Sequence, residues 1–234
     1  MISPATTAVA IMAKAPRPGA VKTRLCPPLT PREAAALARC FLRDRIAQVR
    51  DLVGVSPFIA YAPASEREQF ERLAPDFALM PQQGADLGAR MRSTLASLLA
   101  SGHRAAIAIG TDTPTLPTIA LQHAVDLIAS AGVDVVLGPA DDGGYCLIGV
   151  RGDHPTLFDD VPWSTSEVFE ITLRRARAAG LRTARVSPCF DVDTPDDLSR
   201  LRTALTESPH LAPATSRFLT REAACRLRRE TSRS

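Results

Sequence analysis

Apolar residues fall along this chain in two rhythms. Seven short runs rich in small and branched residues, Thr7 to Ala13, Val55 to Ala62, Phe77 to Met80, Ala105 to Gly110, Val133 to Gly138, Tyr145 to Val150 and Arg182 to Ser187, have the length of strands. Between them apolar positions return every three or four residues, the period of a helix buried along one face. This pattern predicts helices over about 31–49, 65–73, 87–100, 117–130, 165–179 and 195–205. The punctuation agrees. Thr30-Pro31-Arg32-Glu33 and Ser164-Thr165-Ser166-Glu167 have the capping-box form, and Thr194-Pro195-Asp196-Asp197 offers a threonine cap with two acids for the positive end of a helix. Gly132 and Gly180 stand where helices should stop, and Pro57 marks the second strand as an edge or an irregular start. Strands alternating with helices predict an α/β fold. The expected architecture is a three-layer, Rossmann-like domain with a mostly parallel central sheet and helices on both faces.

Composition narrows the picture. A chain of 234 residues that is 45% hydrophobic can bury one substantial core, which predicts a single domain over 1–207 and a basic C-terminal appendage over 208–234, with a short helix near 221–229. Net charge is +3, from 28 basic and 25 acidic residues, too even for a nucleic-acid coat or a membrane-surface stripe. A nucleic-acid partner is therefore not expected, and because no stretch approaches the ~18 continuous apolar residues of a membrane helix, neither is a membrane span. The excess lies in Arg217, Arg221, Arg226, Arg228, Arg229 and Arg233, which offer a local patch for an anionic partner. The five cysteines are odd in number and none forms a C-x-x-C pair, so they read as reduced thiols of a cytoplasmic protein. Four scattered histidines without metal-binding spacing argue against zinc.

Candidate chemistry sits where predicted strands end. After the first strand, Lys14, Arg17, Lys22 and Arg24 surround Gly19 in a proline-rich loop that is either a phosphate cradle or a solvated cationic loop. The Walker spacing is absent. After the third, Gln82, Gln83 and Gly84 make either a plain turn or a reader of a nucleobase edge, and Arg90 and Arg92 follow, facing a phosphate or solvent. After the fourth comes Asp112, which reads as a metal ligand or as an Asx-turn or helix cap. Asp142, Gly143, Gly144 and Tyr145 read as a hairpin turn that could border an acceptor, and Trp163 as a core residue or a stacking platform. Asp191 and Asp193 follow the last strand. If they converge with Asp112 at one end of the sheet, the site holds a divalent cation and a polyphosphate together, and oxygen-only ligands favour Mg²⁺ or Mn²⁺. Asp191-Val192-Asp193-Thr194 also resembles the opening of haloacid-dehalogenase-type phosphatases. Only 234 − 194 = 40 residues follow it, too few for the core of such an enzyme.

Five ordered segments, AIMAKAPRPGAVKTRL, QQGADLGARM, AIGTDTPTL, DDGGYCLIG and FDVDTPDDL, together resemble the GT-A-type nucleotide-diphospho-sugar transferase superfamily. More closely, they resemble a bacterial group of glycosyltransferases associated with arsenosugar biosynthesis, related to the guanylyltransferases that act on phospholactate and on the molybdenum cofactor. The likeness spans about Thr7 to Leu205 and departs from the pyrophosphorylase pattern in lacking G-G-x-G-T-R after the first strand. It implies that Lys14, Lys22 and Arg24 face nucleotide phosphates, that Gln83 and Gly84 lie by the base, and that Asp112, Asp193 and Asp191 hold Mg²⁺ or Mn²⁺. The loop from Asp142 through Gly143 and Gly144 to Tyr145 would face the acceptor. Beside what the resemblance implies, the residues themselves offer Trp163 as an acceptor-stacking candidate and Asp142 as a group that could serve as base for an inverting transfer. The expected function is a metal-dependent transferase acting with a nucleotide-sugar or NTP and a small-molecule acceptor, by glycosyl or nucleotidyl transfer. A non-catalytic nucleotide-binding protein is the remaining alternative.

Overall fold

The computed structural model describes residues 7–231, with side chains described as far as residue 224. Seven strands form one sheet: β1 (Thr7–Lys14), β2 (Val55–Ala62), β3 (Ala78–Pro81), β4 (Ala105–Ile109), β5 (Val135–Pro139), β6 (Tyr145–Val150) and β7 (Thr183–Arg185). Their order is β3-β2-β1-β4-β6-β5-β7, parallel except for β6, which runs against β4 and β5. Helices α1 (Pro31–Arg50), α2 (Arg67–Leu73), α3 (Leu87–Ala100), α4 (Thr118–Ala129), α5 (Val168–Ala178), α6 (Pro195–Glu207) and α7 (Pro213–Thr231) cover it. The α/β architecture expected from the alternation is present.

The period of two along the strands assigns their faces. Val9, Ile11, Ile107 and Ile109 join Leu42 and Ile46 of α1, Phe70 of α2 and Leu121 of α4 on one side. Ala8, Ala10, Ala106 and Ala108 face the other side with Met91 and Leu95 of α3 and Leu173 of α5. The chain steps outward from β1 to β2 to β3, then returns to β4 on the other flank of β1. That reversal opens a crevice beyond the carboxyl ends of β1 and β4, the place where doubly wound sheets bind ligands.

Local chemistry corrects several expectations. Pro57 is not on an edge strand: β2 lies between β3 and β1, and β3 begins its pairing only at Phe58, just past the proline. The Thr30–Glu33 capping box forms, whereas the one expected at Ser164–Glu167 does not. Ser164 adopts φ +69°, the Thr165 hydroxyl donates to Pro162 O, and α5 starts at Val168. Residues 208–231 contain a helix much longer than the pattern suggested. Asp44 of α1, 4% exposed, accepts from Ala214 N (2.8 Å), Thr215 N (2.9 Å) and Thr215 Oγ1 (2.6 Å), tying the first turn of α7 to the domain. Thr215, Leu219 and Glu222 are buried there. The side chains of Cys225, Arg226, Arg228 and Arg229, and the whole of Arg233, lie outside the described residues. Among the described residues no helix is long and apolar enough to cross a membrane.

Candidate active site

The loop leaving β1 turns back over the sheet through a backbone that only a constrained residue would adopt. Lys22 has φ 49° and ψ 37°, left-handed values that disfavour a side chain, and it opens the short turn Thr23–Leu25. This conformation drives the side chain inward until it is 5% exposed. Its ammonium lies 2.6 Å from Asp112 Oδ1 and 2.9 Å from Asp193 Oδ1, with the Phe41 ring centroid at 5.6 Å. Arg24, largely exposed, reaches Asp193 Oδ2 at 2.6 Å.

The acids converge because two loops are stitched together through the backbone. Val192 N donates to Asp112 O at 2.9 Å, joining the segment before α6 to the loop after β4. Val192 is fully buried, so the alternation of an extended segment sends Asp191 and Asp193 to the opposite side, toward Asp112. Asp197 then fixes the end of that segment, its Oδ2 accepting from Asp193 N (3.1 Å), Thr194 N (2.8 Å) and Thr194 Oγ1 (2.7 Å). Asp197 is thus the N3 acid of a capping box, more specific than a first-turn charge. Asp112 caps nothing: α4 begins behind Pro117 with no side-chain cap.

Three carboxylates stand against two cations here, and the imbalance shows in the protonation equilibria. Burial alone would lower the Lys22 pKa, but Asp112 and Asp193 outweigh it and raise the ammonium above its ordinary value. Burial pushes the Asp191 carboxyl up to about 7, and the negative charges of Asp112, Asp142 and Asp193 add to the shift. Among the described residues Asp191 has no hydrogen-bond or ion-pair partner. A hard divalent cation fits this donor set, since all three groups offer oxygen and carry one excess negative charge. The same groups are not drawn around a common point: among the described residues no three His, Cys, Asp or Glu are arranged as a metal site, and the Lys22 ammonium stands between Asp112 and Asp193.

These groups open onto a cleft of about 420 Å³ at the switch point. Of the candidate residues, Lys14, Lys22, Asp112, Tyr145, Asp191 and Asp193 line it. Others stand outside. Gln82 lines the cleft in place of Gln83, and its amide donates to Ala13 O and Ala60 O, bracing β1 and β2. Gly84, at φ +135°, packs on the first turn of α3. Asp142 Oδ1 accepts from Gly144 N at 2.8 Å in an Asx turn, and Gly143 (φ +85°) touches the Ser166 backbone so closely that a Cβ would sit 2.1 Å from Ser166 O. Trp163 stacks on Phe158, meets Tyr145 edge-on and lies against Gly88, an aromatic packing cluster and not a lining of the cleft. Arg17 is paired with Glu66, away from the acids.

Of the two α3 arginines noted in the sequence one reaches the cleft, and a further arginine, on α1, was not singled out by the pattern. Arg90 lines the cleft from α3, while Arg92 pairs with Asp159. Arg45 is 1% exposed and donates to Gln48 Oε1 (2.7 Å), Thr113 O (2.7 Å) and Thr113 Oγ1 (2.9 Å). It clamps the residue after Asp112, and Gln48 extends the clamp to Leu116 O at 2.8 Å. The available signal was an arginine one residue before Ile46 on the inward face of α1.

Comparison with known proteins agrees with this architecture. No curated protein matches the sequence. Among solved structures, a protein of Desulfovibrio desulfuricans G20 with the provisional name nucleotide-diphospho-sugar transferase is similar over 94% of this chain and 96% of its own, at 32% identity and a TM-score of 0.88. CMP:2-keto-3-deoxy-manno-octonic acid synthetase, complexed there with CTP, shares the fold over 86% of this chain and 99% of its own, at 12% identity and a TM-score of 0.54. 4-Diphosphocytidyl-2C-methyl-D-erythritol synthase does so over 86% and 98%, at 12% identity and 0.55. Residues 45–165 match the family described as "Uncharacterized protein conserved in bacteria (DUF2064)", and the chain belongs to that family.

Proposed function

We propose that the protein is a metal-dependent transferase using a nucleotide-activated donor, transferring a glycosyl group from a nucleotide-diphospho-sugar to a small acceptor. The observation that carries this reading is Lys22, a buried ammonium held by Asp112 and Asp193 at the mouth of the switch-point cleft. A lysine so placed is a mobile counter-charge: entering phosphates compete with the two carboxylates for it. Asp112, Asp193 and Asp191 would hold Mg²⁺ or Mn²⁺, whose chemistry is charge neutralisation at the diphosphate oxygens. Lys22 neutralises the departing nucleoside diphosphate, while Lys14 and Arg90 hold charge along the cleft and Arg24 covers its outer edge. The loop of Gln82, Gln83 and Gly84 borders the base, with Gln82 on the cleft itself. Tyr145 borders the acceptor from the cleft, and the adjoining turn with Gly143 and Gly144 lies beyond it. The acceptor hydroxyl loses its proton to Asp142, whose charge reaches Asp191 in the cleft, as it attacks the anomeric carbon. The name of the 32% identical relative supports the glycosyl reading, and an arsenosugar-type acceptor in the cytoplasm belongs to the same proposal.

Nucleotidyl transfer is the second reading, favoured by the concentration of Lys22, Arg24 and Lys14 on one loop. There the acceptor attacks the α-phosphorus in line, and Lys22 and Arg24 neutralise the leaving pyrophosphate. A thermal-shift panel of UDP-, GDP-, ADP- and dTDP-sugars and the four NTPs, with and without Mg²⁺ or Mn²⁺, separates the readings. A metal-dependent rise for one nucleotide-sugar, lost in Asp112→Asn and Lys22→Met, is the expected result. Selective stabilisation by an NTP moves the assignment to nucleotidyl transfer, binding without turnover on any acceptor leaves a non-catalytic binder, and silence across the panel refutes nucleotide use.

A further inference from the structure

Away from the cleft, α1 and α7 pack side by side and leave a groove of about 580 Å³ between them and the β1 loop. Helical spacing fills it with one kind of charge. Arg32, Arg39 and Arg43, seven and four residues apart, share a face of α1, and Arg217 and Arg221, four apart, face them from α7. Ala35, Ala36 and Ala214 keep the floor shallow, and Phe218 supplies an apolar wall. Among the described residues no Asp or Glu lines this groove, and none of the five guanidiniums has a carboxylate partner. The nearby acids are committed elsewhere: Asp44 to the first turn of α7, Glu33 to the α1 cap, and Glu222 to Arg202.

Five like charges facing one another across a cavity repel, so the arrangement costs free energy unless a ligand offsets it. Guanidinium geometry selects that ligand, because planar paired N–H donors fit phosphate oxygens two at a time. We propose that the groove binds a small oligophosphate anion, free or carried on a nucleoside, at a site separate from the cleft. The two sites share one loop: Pro16 and Pro18 face the groove, whereas Lys14 and Lys22 face the cleft. An even net charge of +3 speaks against a long nucleic acid as the occupant.

The test is calorimetric titration of the full chain with tripolyphosphate and with ATP at about 0.15 M salt, an ionic strength that screens loose surface attraction. Wild type should show two classes of site. Lys22→Met should remove the cleft class and leave the groove class, while Arg39→Gln with Arg217→Gln should weaken the groove class at least about tenfold, as expected for lost charge-assisted hydrogen bonds. The thermal midpoint of the double variant should not fall, since it loses no ion pair. Equal groove affinity for tripolyphosphate and ATP identifies the phosphate chain as the ligand, and tighter ATP binding identifies a nucleotide, both within the proposal. A single class of site in wild type that Lys22→Met removes, groove binding unaltered in the double variant, or binding of a single-stranded oligonucleotide but not of tripolyphosphate would each overturn it. A single class lost only in the double variant keeps the groove and counts against the cleft reading.

Discussion

Replacing Arg45 by Met removes a buried cation from the loop that presents Asp112. Three short hydrogen bonds disappear, to Gln48 Oε1 and to the carbonyl and hydroxyl of Thr113. Bonds from a charged donor contribute about 1.5–3 kcal/mol each, a gross loss of roughly 4–9 kcal/mol. Methionine fills much of the volume and relieves the cost of burying a guanidinium, which is itself several kcal/mol, so the net destabilisation is about 3 kcal/mol. What remains is the unpaired Thr113 carbonyl and Gln48 amide oxygen. In urea, with a slope of about 2–3 kcal/mol per molar for a domain of this size, the midpoint should fall by about 1 M. The Asp112 loop should also loosen, so the nucleotide-induced thermal shift should shrink even where the variant is fully folded. A midpoint within about 0.3 M of wild type, with nucleotide stabilisation intact, refutes the clamp.

Other substitutions probe separate parts of the molecule. Asp44→Ala should cost about 2 kcal/mol, because two backbone N–H groups at the start of α7 lose their acceptor, and limited proteolysis should then cut near residue 212 before the rest of the domain opens. Gly88→Ala should cost about 1–3 kcal/mol and perturb tryptophan fluorescence, since the added Cβ would lie 2.1 Å from the Trp163 ring. The Asp191 carboxyl gives a pH signature. Its folded pKa of about 7 exceeds the unfolded value, so the folded state binds the extra proton and stability falls as pH rises from about 4 to 7. Asp191→Asn should flatten that slope and raise the melting temperature at pH 8 in metal-free buffer, and an unchanged pH profile counts against the carboxylate cluster.

The sequence by itself determined the layers. Alternation in Val9–Ala10–Ile11 and Ile107–Ala108–Ile109, together with helical periodicity between strands, is a local property, and local rules recover it. It also determined that acids and cations follow strands, since Asp112, Lys14 and Asp191 lie directly beyond predicted strand ends. Tertiary structure decided which of them meet. The pairing of Lys22 with Asp112 and Asp193 spans separations of 90 and 171 residues and depends on β1 lying beside β4, on a left-handed lysine, and on one hydrogen bond from Val192 to Asp112. No periodicity encodes these. Close approach was equally invisible: Trp163 is a packing residue because Gly88 leaves room for its ring, and Gly143 is required by the Ser166 backbone beside it. Arg45, Asp44 and Gln48 could be read as polar interruptions of the inward face of α1, but their partners, Thr113, Thr215 and Leu116, come from elements far along the chain. Local propensity follows neighbours in sequence, whereas a site is made by the few long-range contacts that the packed sheet enforces.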